Sequence, residues 1–395
     1  MSEWKEVSLS ELGKTITGKT PSSQYPEDFG DEVPFITPSD SFEKKYISRS
    51  ERYLSRLGSD RLKDKIISSD SIMVTCIGSA MGKVAKNSLP SVTNQQINSI
   101  IVNENFDSDY IYYLFKNNYA VFRNAASGST AIPILNKTDF DNLRFKVELD
   151  LNQQRKMVSI LSKIDDKIEI NNQINQELEA MAKTLYNYWF VQFDFPDQNG
   201  KPYKSSGGKM VYHPELKREI PEGWGVEDLK EFESKIITGK TPSRANSDNF
   251  GGEIPFITIG DIRGNTFIYR TSESLTDLGA NVQQNKYLPE GSLCVSCIAT
   301  VGEIGFTTEP SHTNQQINSI VFEDETNRYY LYFVLKNYFE NANASAKTGN
   351  TFANMNKEDF SGIKIIFPNK EIKNNFHKIT EPYFSQIKCL QGQNQ

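Results

Sequence analysis

Apolar and polar positions along the chain fall into three kinds of pattern. Short apolar runs bounded by turn residues, such as "VPFIT" (33–37), "SIMVTCIG" (71–78) and "INSIIV" (97–102), predict strands. Longer amphipathic stretches, "SDYIYYLFKNNYAVFRNA" (108–125) and "NRYYLYFVLKNYFENANA" (327–344), predict helices. The third pattern occupies Leu151 to Phe190, which contains no Gly or Pro. Its seam alternates spacings of four and three through Met157, Leu161, Ile164, Ile168, Asn171, Asn175, Leu178, Ala182, Leu185 and Trp189. That is a coiled-coil seam with two asparagines in its middle, on a helix roughly 60 Å long at 1.5 Å per residue. One small domain cannot hide such a stripe, so the helix needs a partner. Ile372, Phe376, Ile379, Tyr383, Ile387 and Leu390 keep nearly the same spacing near the C-terminus, with Pro382 as an expected kink. This second helix is shorter and ends near the point that Asn175 marks in the first.

The strand and helix patterns occur twice. "TITGKTPS" (15–22) returns as "IITGKTPS" (236–243) and "VPFITPSD" (33–40) as "IPFITIGD" (254–261), both 221 residues later. "TNQQINSI" (93–100) returns unchanged at 313–320, and "NKTDFDNL" (136–143) as "NKEDFSGI" (356–363), 220 residues later. The one-residue slip falls between "CIGSAMGK" (76–83) and "CIATVGE" (297–303), a loop. A unit of about 145 residues suits a domain better than a solenoid repeat. The organisation read from this is a first domain 1–150, a long helix 151–193, a turn-rich linker 194–222, a second domain 223–368 and a C-terminal helix 369–395. The fold class is α+β: two homologous α+β domains separated by long helices.

Composition narrows the chemistry. The chain has 395 residues, 44 Lys+Arg, 50 Asp+Glu and a formal net charge of −6. Its four cysteines are too few and scattered for a disulfide framework, and Cys294 and Cys297 lie in an apolar run far from His213, His312 and His377. No metal site is expected. The N-terminus lacks an apolar signal core and no stretch reaches membrane-spanning length, so a soluble, cytoplasmic protein is expected. "GKTITGKTPS" (13–22) matches the phosphate-binding pattern G-x-x-x-x-G-K-[ST]. The segment before it alternates rather than forming a buried strand, Pro21 blocks the helix that should open there, and the second copy has Ser234 in place of Gly13. The match is a decoy.

Two related domains on a rod suit an extended partner with local two-fold symmetry, which duplex DNA is. Between Lys44 and Lys65 there are eight Lys/Arg against three Asp/Glu. Lys44, Lys45, Arg49, Arg52, Arg56 and Arg61 are therefore candidates for phosphate or base contact, the alternative being a solvated helix face. The corresponding stretch of the second copy, 263–286, is nearly neutral, and its candidates are Arg263 and Asn265, with Arg244 ahead of it.

Domains that read different sequences should share scaffold and phosphate contacts and differ where they read bases. The shared elements give Lys19, Lys240, Asn94 and Asn314 either as phosphate contacts or as parts of structural turns. The divergent pairs are 41–65 against 262–286, 77–83 against 298–303 and 122–135 against 340–355. They add Arg123, Asn124, Lys347 and Asn350 as base-reading candidates. A protein–protein scaffold without DNA readout is the alternative. A nucleic-acid enzyme is disfavoured, because no cluster of carboxylates or histidines recurs in both copies.

The ordered set of paired "TGKTPS", paired "TNQQINSI", "SGST…NKTDF" followed by "NQQRKMVSILSKIDDKIE", and the linker "FDFPDQNGKPYKSSGGKMVYHPELKREIPEGW" resembles the specificity subunits of type I restriction-modification enzymes. The resemblance covers nearly the whole chain. It implies that each domain is a target recognition domain for one half of a bipartite double-stranded DNA sequence. It also implies that the two helices pack as an antiparallel coiled coil, which docks two modification subunits that methylate adenine. The subunit itself is then non-catalytic. S-adenosylmethionine, ATP and Mg would belong to partner subunits, namely the modification subunits and the restriction/translocase subunits of the full complex. Consistently, the sequence has no Gly-rich S-adenosylmethionine loop and no Asn/Asp-Pro-Pro-Tyr element.

Overall fold

A computed structural model describes residues 4–78, 81–126, 133–346 and 354–395. The chain divides into two compact units, the first ending at Lys167 and the second beginning at Ile168.

In the first unit the strands Gly13–Thr17, Ile97–Val102, Ile72–Thr75, Val84–Asn87 and Tyr46–Ile47 lie side by side in that order. A second sheet orders Phe29–Gly30, Arg52–Leu54, Val33–Ile36, Ser91–Thr93 and Ile66–Ile67. Every residue of Ile72–Thr75 is buried, which is why this strand reads as an unbroken apolar run rather than an alternating one. One core lies between this sheet and the helix Ser108–Asn117, around Tyr110, Ile111, Tyr112 and Phe115. Another gathers Ile16, Ile36, Met73 and Ile97.

The second unit repeats the plan. Ile236–Thr238, Ile317–Ile320, Leu293–Ser296, Ile304–Thr307 and Phe267–Ile268 follow the order of their counterparts, and Phe250–Ile257 sits between Glu273–Leu275 and His312–Thr313. Even the register is kept: Ile16 faces Ser99, and Ile237 faces Ser319. In both units the ends are clipped together. Trp4–Ser8 pairs antiparallel with Arg144–Glu148, and Gly225–Asp228 with Lys364–Phe367.

Two local expectations need correction. The stretch 108–125 is two helices, Ser108–Asn117 and Tyr119–Asn124, because Asn118 leaves helical geometry and its side-chain amide donates to the Leu114 carbonyl at 2.8 Å. The basic stretch 44–65 is not one helix face either. It holds the strands Tyr46–Ile47 and Arg52–Leu54 and the short helix Arg56–Arg61.

The central helix runs Leu151–Tyr186 and continues as a wider π turn, Asn187–Val191; the terminal helix is Lys370–Gln393 and passes through Pro382 without interruption. Within the second unit the two pair antiparallel. Asn171 donates to Asn394 at 2.8 Å, while the Tyr186 and Phe190 rings lie 6.3 and 5.0 Å from Phe376. Leu178, Leu185, Ile372 and Tyr383 are half-buried against the core there, Phe376 is fully buried, and Ile379 is exposed. Ile168 is half-buried. In the first unit the seam residues Met157, Leu161 and Ile164 are exposed. The stretch 194–222 is ordered: Phe195 stacks on Tyr203 and Trp224, and Met210–His213 pairs with Arg218–Pro221.

Candidate nucleic-acid interface

The two shared motifs lock onto each other. Gly18 N–H donates to Ile97 O at 3.1 Å, Lys19 N–H to Thr93 O at 2.8 Å, and the Thr20 hydroxyl to Gln95 at 2.6 Å. The second unit repeats this with Gly239 to Ile317 at 3.1 Å, Lys240 to Thr313 at 3.0 Å and Thr241 to Gln315 at 2.7 Å. A Cβ on Gly18 would stand 2.2 Å from the Asn94 carbonyl oxygen, and one on Gly239 2.1 Å from that of Asn314. These glycines are required for close backbone approach, not for a left-handed turn. The strand Gly13–Thr17 is antiparallel to Ile97–Val102 and no helix opens at Lys19, so the phosphate-loop match has no structural basis. Asn94 and Asn314 shape the turn: each accepts from the backbone of Gln96 or Gln316, at 3.1 and 3.0 Å, and donates to that residue's side chain. The Lys19 and Lys240 side chains are exposed beside these turns.

A second shared device holds the divergent loops. The Asp40 carboxylate is buried and accepts from Thr37 N–H at 2.7 Å and from Glu51 N–H at 2.8 Å. Asp261 does the same with Thr258 N–H at 2.7 Å and Ser272 N–H at 2.8 Å. Each carboxylate therefore cinches both ends of a loop, 41–50 in one unit and 262–271 in the other. Neither residue was among the candidates. The signal was the aspartate shared by "TPSD" and "TIGD", just ahead of the divergence.

The three divergent segments converge in each unit. In the first, Lys83 pairs with Glu43 at 2.6 Å, and Ile77 bridges Ile134 with Leu135 N–H donating to Cys76 O at 2.9 Å. Arg123 donates to the Tyr119 hydroxyl at 2.9 Å, and the Tyr119 ring lies against Gly82. In the second unit Arg263 reaches Glu303 at 3.3 Å, Ile298 bridges Asn354 and Met355 N–H donates to Cys297 O at 2.8 Å. The charges across the loop contact are inverted between the copies, Lys83–Glu43 against Glu303–Arg263.

The remaining candidates separate into two groups. Lys44, Arg49, Arg56 and Asn124 are exposed, and Arg49 lines a groove of about 600 Å³ with Glu43, Glu51 and Lys83. Others are engaged within the fold. Lys45 reaches Asp109 at 2.8 Å and is largely buried; Arg52 lies over the Phe29 ring at 4.1 Å; Arg61 pairs with buried Asp28 at 2.6 Å. Arg244 clasps Glu273 with two bonds of 2.8 Å and holds that carboxyl below its ordinary range. Asn265 donates to the Asp261 carbonyl at 3.1 Å. Lys347 and Asn350 lie outside the described residues.

Cys76, Cys294 and Cys297 are buried, and burial pushes their thiols up to about 12, 12 and 11, away from the thiolate a metal needs. No cluster suited to a metal ion occurs among the described residues.

A repeated framework that presents three converging, divergent loops defines a tandem recognition protein. The chain matches the family described as the type I restriction modification DNA specificity domain over residues 1–180 and 221–395, and it belongs to that family. It is 31% identical over 438 aligned positions to the type I restriction enzyme HindI specificity subunit of Haemophilus influenzae, covering 96% of this chain and 92% of that one. The MjaIX specificity subunit of Methanocaldococcus jannaschii is 27% identical, with 98% and 88% covered. The crystal structure of a type I restriction-modification S subunit from M. genitalium shares the fold, with a TM-score of 0.53 at 14% identity over 100% of this chain and 92% of that one.

Proposed function

We infer that this chain is the non-catalytic specificity subunit of a type I restriction-modification complex, each unit reading one half of a bipartite DNA target. The observation that carries this reading is the convergence of three divergent loops above a framework that is the same in both units. Exposed Lys19, Arg49 and Arg56, with Lys240 in the second unit, are assigned to the DNA-facing surface on this reading, phosphates being met by framework residues and bases by loop residues. Two modification subunits dock on the helices and methylate adenine. S-adenosylmethionine, ATP and Mg are assigned to partner subunits. No helix among the described residues is long and apolar enough to cross a membrane, and cytoplasmic residence is proposed from the DNA target.

The test is methylome sequencing of cells expressing the chain with its modification subunit, against cells lacking the chain. A split N6-methyladenine motif that depends on the chain is expected, and replacing 41–135 by 262–355 should change one half only. No chain-dependent motif, with partner expression verified, overturns the reading.

A further inference from the structure

The two units differ at one place on their helical side. In the first, a groove of about 770 Å³ is lined by Trp4, Tyr110, Tyr113, Lys116, Phe145 and Met157, among others. The internal repeat supplies its counterpart. Trp4, Tyr110, Tyr112, Lys116 and Asn117 correspond to Trp224, Tyr330, Tyr332, Lys336 and Asn337, each 220 residues on. The helices begin at Leu151 and Lys370, which aligns Met157 with Phe376 and Leu161 with Thr380.

In the second unit the counterpart groove is full. Phe190 packs 5.9 Å from Trp224, 4.7 Å from Tyr330 and 5.0 Å from Phe376, ring centre to ring centre. Tyr186 lies 5.5 Å from Phe333, and Trp189 6.0 Å from Phe376. Two turns earlier on the same helix, Glu179 accepts from the Tyr332 hydroxyl at 2.7 Å and from the Lys336 ammonium. Asn337 reaches Asn187 at 3.5 Å.

In the first unit the receiving side is built, and among the described residues its filling is not there. Trp4 is 45% exposed against 9% for Trp224, Met157 38% against 0% for Phe376, and Leu161 43% against 0% for Thr380. The Lys116 ammonium lies 3.2 Å from the Tyr112 hydroxyl, as Lys336 lies 3.3 Å from Tyr332. Among the described residues no carboxylate bonds the Lys116–Tyr112 pair as Glu179 bonds Lys336 and Tyr332, and the neighbouring Tyr113 hydroxyl donates to Asp165 at 2.6 Å. Trp4, Met157 and Leu161 are exposed together beside the Lys116 ammonium, and the filled copy shows what chemistry fits such a groove.

We propose that this groove receives a helix from a second polypeptide, antiparallel to residues 151–167, bearing an aromatic tail and an acidic residue seven positions before its first aromatic. Glu179, Tyr186, Trp189 and Phe190 are the pattern for that helix. Aromatic side chains carry most of the apolar area in such a contact, and the acid–Lys116 pair sets register and direction. The inference concerns helix capture and stands independently of the DNA reading.

The probe is a fluorescein-labelled peptide of residues 172–195, titrated with the full chain and followed by anisotropy. Saturable binding is expected. Lys116→Glu, an exposed position that leaves the core untouched, should weaken it on the order of tenfold or more. A peptide carrying Glu179→Lys should regain affinity for that variant, and Lys336→Glu should leave the original peptide bound. Absence of saturable binding, or binding that Lys116→Glu leaves intact, overturns the proposal. Binding lost to Lys336→Glu rather than Lys116→Glu also overturns it, because the peptide would then be exchanging with the chain's own segment in the second unit.

Discussion

Asp40 and Asp261 act at the smallest scale on which the proposed interface can be disturbed. Each carboxylate accepts from the residue that opens a loop and the residue that closes it. Removing a buried carboxylate leaves those N–H groups unpaired, at a cost of about 1–3 kcal/mol. Asp40→Ala should therefore lower the urea midpoint of the chain and blur the methylated motif in one half, leaving the other half sharp. Unchanged stability together with an unchanged motif would sink the clamp. At this scale the sequence was only partly readable. The exposed candidates Lys19, Arg49 and Arg56 could be found from charge and repetition. Lys45, Arg61 and Arg244 looked equivalent to them, but each is claimed by a carboxylate that sits beside it only after folding: Asp109, Asp28 and Glu273. Composition cannot reveal such pairings, because the partners lie 64, 33 and 29 residues away in sequence.

Among the elements, the central helix carries two asparagines with different circumstances. Asn171 is bonded to Asn394, whereas the buried Asn175 amide has no hydrogen-bond partner among the described residues on either polar atom. An unpaired buried amide costs roughly 1–3 kcal/mol. Asn175→Leu should raise the thermal midpoint by a few degrees, equivalent to about 1–2 kcal/mol for a buried leucine; a lowered midpoint would show that the amide is satisfied in solution. The junction between the terminal helix and the helix Arg328–Ala346 makes a prediction in pH. Burial opposes the charged form of Asp324, yet the Thr326 hydroxyl and the Lys373 ammonium, 3.0 Å away, outweigh it and hold the carboxyl at about 2. An unfolded aspartate titrates near 3.9. The folded value is the lower one, so this junction's contribution is complete above about pH 4 and is lost as pH falls towards 2. Urea unfolding at pH 5 and pH 3 should show that loss, and Asp324→Asn should flatten it; an equal loss in the variant would clear Asp324 of the effect. The helices themselves were legible because their periodicity is local. The break at Asn118 was not, since every residue of 119–124 is acceptable in a helix and only the Asn118–Leu114 bond marks the boundary.

Across the whole molecule, the repeat offset was enough to find two units, and the four-and-three seam to find the helices between and after them. What it could not supply was the closure of each unit. Trp4–Ser8 alternates like any edge strand, and its partner Arg144–Glu148 lies at the far end of the domain. Nor could it show that the two grooves differ, because the difference lies in what fills them. The mutual lock of "TGKTPS" with "TNQQINSI" has a consequence for how such a molecule changes over generations. The lock is made by backbone atoms and by residues within the two motifs themselves, and the aspartate clamps hold the far ends of their loops through the main-chain N–H groups of Glu51 and Ser272. No side chain between the clamped ends is consulted by either device. Substitutions at exposed loop positions such as Ser48 and Arg49 can therefore accumulate with little cost to the unit beneath them, whereas Phe42, Ile47, Ile262, Phe267 and Ile268, which the same loops bury in the cores, are held. A lineage carrying this chain can drift to a new half-target through mutations that a stability screen would score as silent.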